Sequence, residues 1–167
     1  MLEIVNERGQ IIGVAPRSEI HGNPALMHRV VHVVVLDKDG NILLQKRSMK
    51  KDVAPGRWDT SVGGHVDPDE GLKDAALREM FEELGVRLEL EFMYRYIHSN
   101  PYETEMVHTY RAFWDENAKE KLSCNPDEID ELKFWSIEDI KSVLKNETLS
   151  DNFKDEFEKY LAWRERE

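Results

Sequence analysis

Cysteine is almost missing from this sequence: Cys124 is the only one in 167 residues. A lone thiol excludes an intrachain disulfide and a cysteine metal cluster, and it suits a reducing cytoplasm. Long apolar runs are missing as well. The richest, residues 30–36, is far shorter than the roughly 20 residues a membrane-spanning helix needs. No charged-then-apolar leader opens the chain. Basic residues are the third deficit, with 23 Lys and Arg against 34 Asp and Glu and a net charge of −11. Such a balance repels nucleic acid polymers and anionic membranes, so neither is expected as a partner. No internal repeat or low-complexity tract divides the sequence. Its length and 40% hydrophobic content suit one domain over residues 1–167, as a monomer or homodimer.

What is present is one dense stretch, residues 63–86. Gly63-Gly64-His65 reads as an abrupt turn, Pro68 and Asp69 open the next element, and Gly85 closes it as a helix C-cap. Between Gly71 and Gly85 stand helix formers and no breaker. At about 100° per residue, Leu77, Met80, Phe81 and Leu84 share one arc and predict its buried side. Glu79, Glu82 and Glu83 fall on a separate arc beside Ala75 and Ala76. Carboxylates so spaced repel by roughly 0.2–0.5 kcal/mol per pair on an open surface. Either they form a solvated acidic face, or a hard cation such as Mg2+ or Mn2+ removes the penalty.

Strand and helix signals alternate elsewhere. Residues 2–5 and 10–14 flank a turn-rich stretch as a hairpin, and residues 16–21 form a short helical or irregular piece. The β-branched run 28–36 has central-strand character and turns through 37–40 into 41–47. Residues 52–59 are a loop carrying Trp58, and 60–62 a short strand entering the dense stretch. Strands are expected over 86–97, 103–114 and 131–135, the first two joined around Asn100-Pro101. Ser136 opens a helix to about residue 145 in the manner of a capping box, and residues 151–163 form the last helix. This mixture predicts an α+β fold with a central mixed β-sheet and helices on both sides. Lys46, Arg47, Lys50 and Lys51 are the concentrated basic patch of the first half, either a solvated loop or a phosphate contact. Trp58, Tyr94, Tyr96 and Tyr102 could stack on a base or line an apolar pocket, or simply fill the core.

Spacing sharpens the picture. Five residues separate Gly64 from Glu70, and seven more lead to Arg78-Glu79-Met80-Phe81-Glu82-Glu83-Leu84-Gly85-Val86. Residues 64–86 resemble the Nudix box of the Nudix hydrolase family at every fixed position. Seven chance matches are on the order of one in ten million per window, which sets coincidence aside. The resemblance implies the Nudix fold, an α/β/α sandwich, and a pyrophosphohydrolase in which metal-activated water attacks one phosphorus of a small diphosphate. It implies Glu79, Glu82 and Glu83 as ligands of Mg2+ or Mn2+, with a backbone carbonyl of Gly63 or Gly64 completing the shell. Arg78 would brace a box carboxylate, and Glu70 would lie nearer the rim. The base is left open between a box Glu and another carboxylate, such as Glu105.

Residues 2–135 further resemble the branch of that superfamily containing type 1 isopentenyl-diphosphate isomerase. The shared features are His21 and His28, Arg47 and Lys51, Pro55-Gly56-x-Trp58, Ser61-Val62-x-Gly64-His65 and Glu103-x-Glu105. The likeness implies a metal held by His21, His28, His65, Glu103 and Glu105, and a diphosphate gripped by Arg47 and Lys51; Trp58 and Tyr96, from the aromatic set, are further candidate substrate contacts. Alternation along a strand also puts Glu103 and Glu105 on one side, and at least one is expected within metal reach of the box helix. Two departures separate the chain from the isomerase, which has a Cys at the place of Gly63 and lacks the equivalents of Glu79 and Glu82. The expected reaction is therefore hydrolysis of a nucleoside diphosphate-linked or other small organic diphosphate. An isomerase-like enzyme or an isoprenoid diphosphate phosphohydrolase is the alternative. A non-catalytic binding module is a third reading, against which the whole box argues.

Overall fold

The structure is a computed structural model and describes residues 1–117 and 121–167. In chain order the elements are β1 (Leu2–Val5), β2 (Ile11–Ala15), α1 (Arg17–Ile20), β3 (Met27–Leu36), β4 (Ile42–Arg47), β5 (Trp58–Asp59) and β6 (Val62–His65). They continue with α2 (Leu72–Leu84), β7 (Glu91–Ser99), β8 (Thr104–Phe113), β9 (Ile129–Trp135), α3 (Ile137–Ser142) and α4 (Asp151–Arg166).

Strand β3 is the hub of a nine-stranded sheet. Its β-branched residues favour the pleated conformation, and burial on both faces suits an almost continuous apolar run. It pairs with β8 in parallel along its whole length, and antiparallel with β6 and, at Ile4↔His28, with β1. Only Leu36↔Ile42 joins β3 to β4, which then leaves to pair with β5 and β9. The sheet splits there, and the split makes room for a cavity.

Alternation on β3 sorts the two layers. Val31, Val33 and Val35 pack with Ala75, Ala76, Met80 and Leu84 of α2. Val34 and Leu36 pack with Ile140 of α3 and with Phe153, Phe157 and Tyr160 of α4. Each fully buried Val contributes about 1.5–3 kcal/mol, so β3 is the principal anchor of both layers. The result is the expected α+β sandwich, with a mixed sheet between helices. Among the described residues no helix is long and apolar enough to cross a membrane.

Three local expectations are corrected. Gly63-Gly64-His65 is not a turn: it lies in β6, opposite Val31 and its neighbours on β3. Neither glycine has a positive φ; the reversal comes later, around Asp69 at φ 64. The buried side of α2 is Ala75, Ala76, Met80 and Leu84, while Phe81 is exposed beneath the Arg87 guanidinium, 3.9 Å from its ring centroid. Glu79 and Glu83 therefore sit on the sheet-facing side with the alanines, and only Glu82 points into solvent. Finally, β7 starts at Glu91 rather than at residue 86. Val86, Leu88 and Leu90 alternate like a strand, but they pack against the α2 cluster outside any ladder.

Helix ends follow their capping residues. Gly85 adopts φ 71 and its N–H closes α2 on the Phe81 carbonyl. The hydroxyls of Ser136 and Ser150 accept from the N–H of Asp139 and Phe153, each at 3.1 Å, and start α3 and α4.

Candidate active site

Gly64 is a glycine because a carboxylate occupies the space of its side chain. A Cβ built there would lie 2.1–2.5 Å from the carboxyl atoms of Glu79. Gly63 N–H approaches Glu83 Oε1 at 3.4 Å, and Gln45 Nε2 donates to the same oxygen at 2.9 Å. The other oxygen, Glu83 Oε2, is buried without a hydrogen-bond partner. Burial pushes the Glu83 carboxyl well above its usual range, and the neighbouring Glu79 pushes it further. Burial likewise raises Glu79, against the pull of Arg78.

Arg78 fixes this arrangement from the solvent side. Its Nε and one terminal nitrogen donate to Glu70, both at 2.9 Å, and the other terminal nitrogen donates to Glu79 at 2.9 Å. The His65 carbonyl accepts a further bond at 3.0 Å. These are charge-assisted bonds in a forked geometry that Lys could not reproduce. They hold the Glu70 carboxyl below its usual range. Glu82 is half-exposed and lies 3.4 Å from Arg78. Glu70 thus belongs to the brace, not to the rim of the cavity.

A second cluster surrounds His28, which is fully buried. One donor atom from each of His21, His28 and His65 lies within 4.8 Å of the others, and the same holds for His28, Glu103 and Glu105. The ladder explains it: His28 is opposite Glu105 on β8, and Val30, two residues on, is opposite His65 on β6. Both ring nitrogens of His28 and Oε1 of Glu105 are buried without partners. Burial, then the neighbouring His28, pulls the His65 imidazole down to about 4, leaving its ring neutral at physiological pH. Burial pushes Glu105 up, but the neighbouring His28 and the charges of His32 and His98 hold it below the usual carboxylate range.

A cavity of about 1110 Å³ is lined from both clusters, by Glu83, Gly63 and Gly64 and by His21, His65, Glu103 and Glu105. Arg47 also lines it, its Nε donating to the Val53 carbonyl at 2.8 Å. Other expected contacts lie elsewhere. Lys51 pairs with Glu128, Trp58 packs edge-on to Trp135 in the core, and Tyr96 is buried with Val30 and Val107. Among the described residues no trio of donor atoms within 4.8 Å includes Glu79, Glu82 or Glu83, so the helix carboxylates and the His28 cluster form no common trio at that spacing.

Sequence reading missed a third layer. His32 and His98 line the cavity, and each is held through Nδ1 by a carboxylate of α4: Glu156 for His32 and Asp155 for His98, both at 2.8 Å. Glu156 is wholly buried and also accepts from the hydroxyls of Thr109, at 3.0 Å, and Tyr94. Burial opposes charge on His32, but the bond to Glu156 together with the charges of Glu156, Glu105 and Asp59 outweighs it and raises the imidazole. One signal was available. Phe153, Glu156, Phe157 and Tyr160 form the apolar stripe of α4, and a Glu in that stripe requires a buried partner.

Paired carboxylates, one with an oxygen that finds no donor, fit a hard divalent cation; the cradle that Gly64 leaves for Glu79 serves the same end. Beside room for a phosphorylated ligand, they are the equipment of a metal-dependent hydrolase of phosphoanhydride bonds. That class has a family, and the chain belongs to it: the NUDIX domain model matches residues 26–158. Members of the Nudix family use a divalent metal and act on small diphosphates. An isopentenyl-diphosphate Delta-isomerase of Streptomyces coelicolor is 31% identical over 153 residues, covering 90% of this chain and 78% of the relative. The Nudix hydrolase YfcD of Escherichia coli K12 is 42% identical over 85 residues, 51% of this chain and 47% of that one. The fold also matches the crystal structure of DR0079 from Deinococcus radiodurans, with a TM-score of 0.77, 24% identity and coverage of 95% and 97%.

Two predictions arise here. Gly64→Ala should fold, because the atoms it meets end a flexible side chain, yet displace the Glu79 carboxylate. Turnover should fall at least about tenfold with little change in melting temperature, since small misplacements of reacting groups are costly. The second concerns pH. Because Glu79 and Glu83 are raised above 4.5, the folded protein holds protons there that the unfolded chain has released, so their contribution to stability falls as pH rises through the raised values. Mg2+ competes with those protons. The rise in melting temperature that Mg2+ produces should therefore be small near pH 4.5 and grow toward neutrality. A rise independent of pH would contradict it.

Proposed function

We propose that the protein is a Mg2+-dependent Nudix pyrophosphohydrolase acting on a nucleoside diphosphate-linked or other small organic diphosphate. The observation that carries this reading is the half-buried Glu79–Glu83 pair at Gly64, with Glu83 Oε2 buried and partnerless beside a cavity large enough for such a ligand. Glu79 and Glu83, with a carbonyl of Gly63 or Gly64, would hold the cation, and Glu82 would complete its solvent side. When bound, Mg2+ neutralises diphosphate charge and makes water easier to deprotonate. His21, His28, His65, Glu103 and Glu105 offer a second set of donors.

The remaining work falls to the chain's own residues. Arg47 supplies a cation for the diphosphate from the cavity wall, oriented by its bond to Val53. Glu105 is the carboxylate we assign to take the proton of the attacking water, since its Oε1 has no partner and its surroundings keep it ionised. The water oxygen bonds to phosphorus as the bridging P–O bond breaks, and the two phosphorylated fragments leave. Arg78 touches neither; it keeps Glu79 in place.

The His and Glu cluster and the likeness to the Streptomyces coelicolor protein favour a second reading, an isomerase-like enzyme or a hydrolase of isoprenoid diphosphates. Against isomerisation, Gly63 supplies no thiol for proton transfer across a carbon frame. Chromatographic identification of the phosphorylated products from a panel of nucleoside di- and triphosphates, nucleotide-linked diphosphates and isoprenoid diphosphates with Mg2+ separates these readings, run beside conversion of isopentenyl to dimethylallyl diphosphate. Hydrolysis without isomerisation is the expected result.

A further inference from the structure

The histidine pinned by α4 lines the cavity. His32 is opposite Gly63 across the β3–β6 ladder, and a Cβ on Gly63 would lie 3.2 and 3.3 Å from its Cδ2 and Nε2. The ring therefore fills the place of a side chain at position 63, and Gly63 leaves its outer edge open to the cavity. The same Gly63 turns its N–H toward Glu83 at 3.4 Å, so the imidazole is separated from the box carboxylates by one backbone unit. At its inner edge Nδ1 meets Glu156 at 2.8 Å. An ionised carboxylate only accepts, so Nδ1 carries a hydrogen and the ring cannot flip. Tyr94 and Thr109 also donate to Glu156 but bring no charge, and His32 is the ring that can match the charge of this wholly buried group.

We infer that His32 is a substrate contact in this site, its Nε2 hydrogen-bonding a phosphoryl oxygen of the bound diphosphate, and that Glu156 is the residue that positions it. This rests on the phosphoanhydride reading above. Fixing a ring through its far nitrogen is how proteins aim the near one, and it explains why α4 spends a core position on a Glu. It also makes Gly63 and His32 one unit, since a larger residue at either place would crowd the other.

His32→Asn separates the two ends of the ring. The Asn amide nitrogen takes the place of Nδ1 and still donates to Glu156, while the cavity end is gone. Binding of methylenediphosphonate, a diphosphate that cannot be hydrolysed, is measured by calorimetry with Mg2+, together with kcat and KM on the best substrate and the melting temperature. Loss of a hydrogen bond to a charged group should weaken binding about 10–100-fold, with the melting temperature nearly unchanged. In the unaltered protein the 15N signal of His32 Nε2 should move on adding methylenediphosphonate while that of Nδ1 stays, a readout that requires no variant to fold. Equal affinity in the variant, a stationary Nε2 signal, or no binding by the unaltered protein would overturn the inference. If no substrate is hydrolysed yet His32→Asn weakens binding, the reaction is wrong and the contact stands. If hydrolysis proceeds and the variant binds equally well, the contact falls and the reaction stands.

Discussion

Glu83→Gln is expected to fold as the natural protein does and to lose at least about two orders of magnitude in turnover at saturating Mg2+. The amide is nearly isosteric and can keep the bond from Gln45, so the local packing survives. What goes is the charge of a carboxylate that burial and Glu79 already hold at a cost. Two signatures follow from that cost. Without metal the variant should melt no lower than the natural protein, because a buried repulsion has been removed. With Mg2+ its melting temperature should rise much less, because a ligand of the cation is missing. A variant with full activity and a full Mg2+ response would remove Glu83 from the metal site.

Glu105→Gln should reduce kcat about 100-fold, the scale of a lost general base, while leaving most of the Mg2+ stabilisation intact. The reason is spatial: Glu105 lines the cavity from β8 and groups with His28 and Glu103, not with the carboxylates of α2. Its side chain is buried, and Nε2 of His28 lies 3.6 Å from its Oε2. Removing the charge therefore changes the proton acceptor without disturbing the Arg78 brace. Unchanged activity would return the proton to a box carboxylate. Loss of the Mg2+ response together with activity would instead place Glu105 among the ligands of the catalytic cation.

Much of this was readable in the residues because it is local. Gly85 ends α2, Ser136 begins α3, and the box fixes Glu79, Glu83 and Arg78 on one helix. The paired glycines were misread for a physical reason: glycine serves tight turns and close approaches alike, and sequence does not tell which. Here Gly63 and Gly64 lie in a strand and make way for His32 and Glu79. The same ambiguity cost Trp58 and Tyr96 their expected place at the substrate, since aromatic residues on strands pack into cores as readily as they line pockets. The His32–Glu156 pair was out of reach for a different reason: 124 residues separate its members, and only the packing of α4 on β3 brings them together. The second cluster was reached through family likeness; the register of β3 with β6 and β8 supplies its physical cause.

The central claim is that this site directs water at phosphorus rather than moving a proton along a carbon frame. Hydrolysis in 18O-labelled water, with Mg2+ and the best diphosphate of the panel, tests it most directly by mass spectrometry of the products. The account predicts one 18O atom in the phosphorylated fragment that contained the attacked phosphorus, none in the other, and no rearranged diphosphate. Conversion of isopentenyl to dimethylallyl diphosphate, with no phosphate released and no label incorporated, would contradict it.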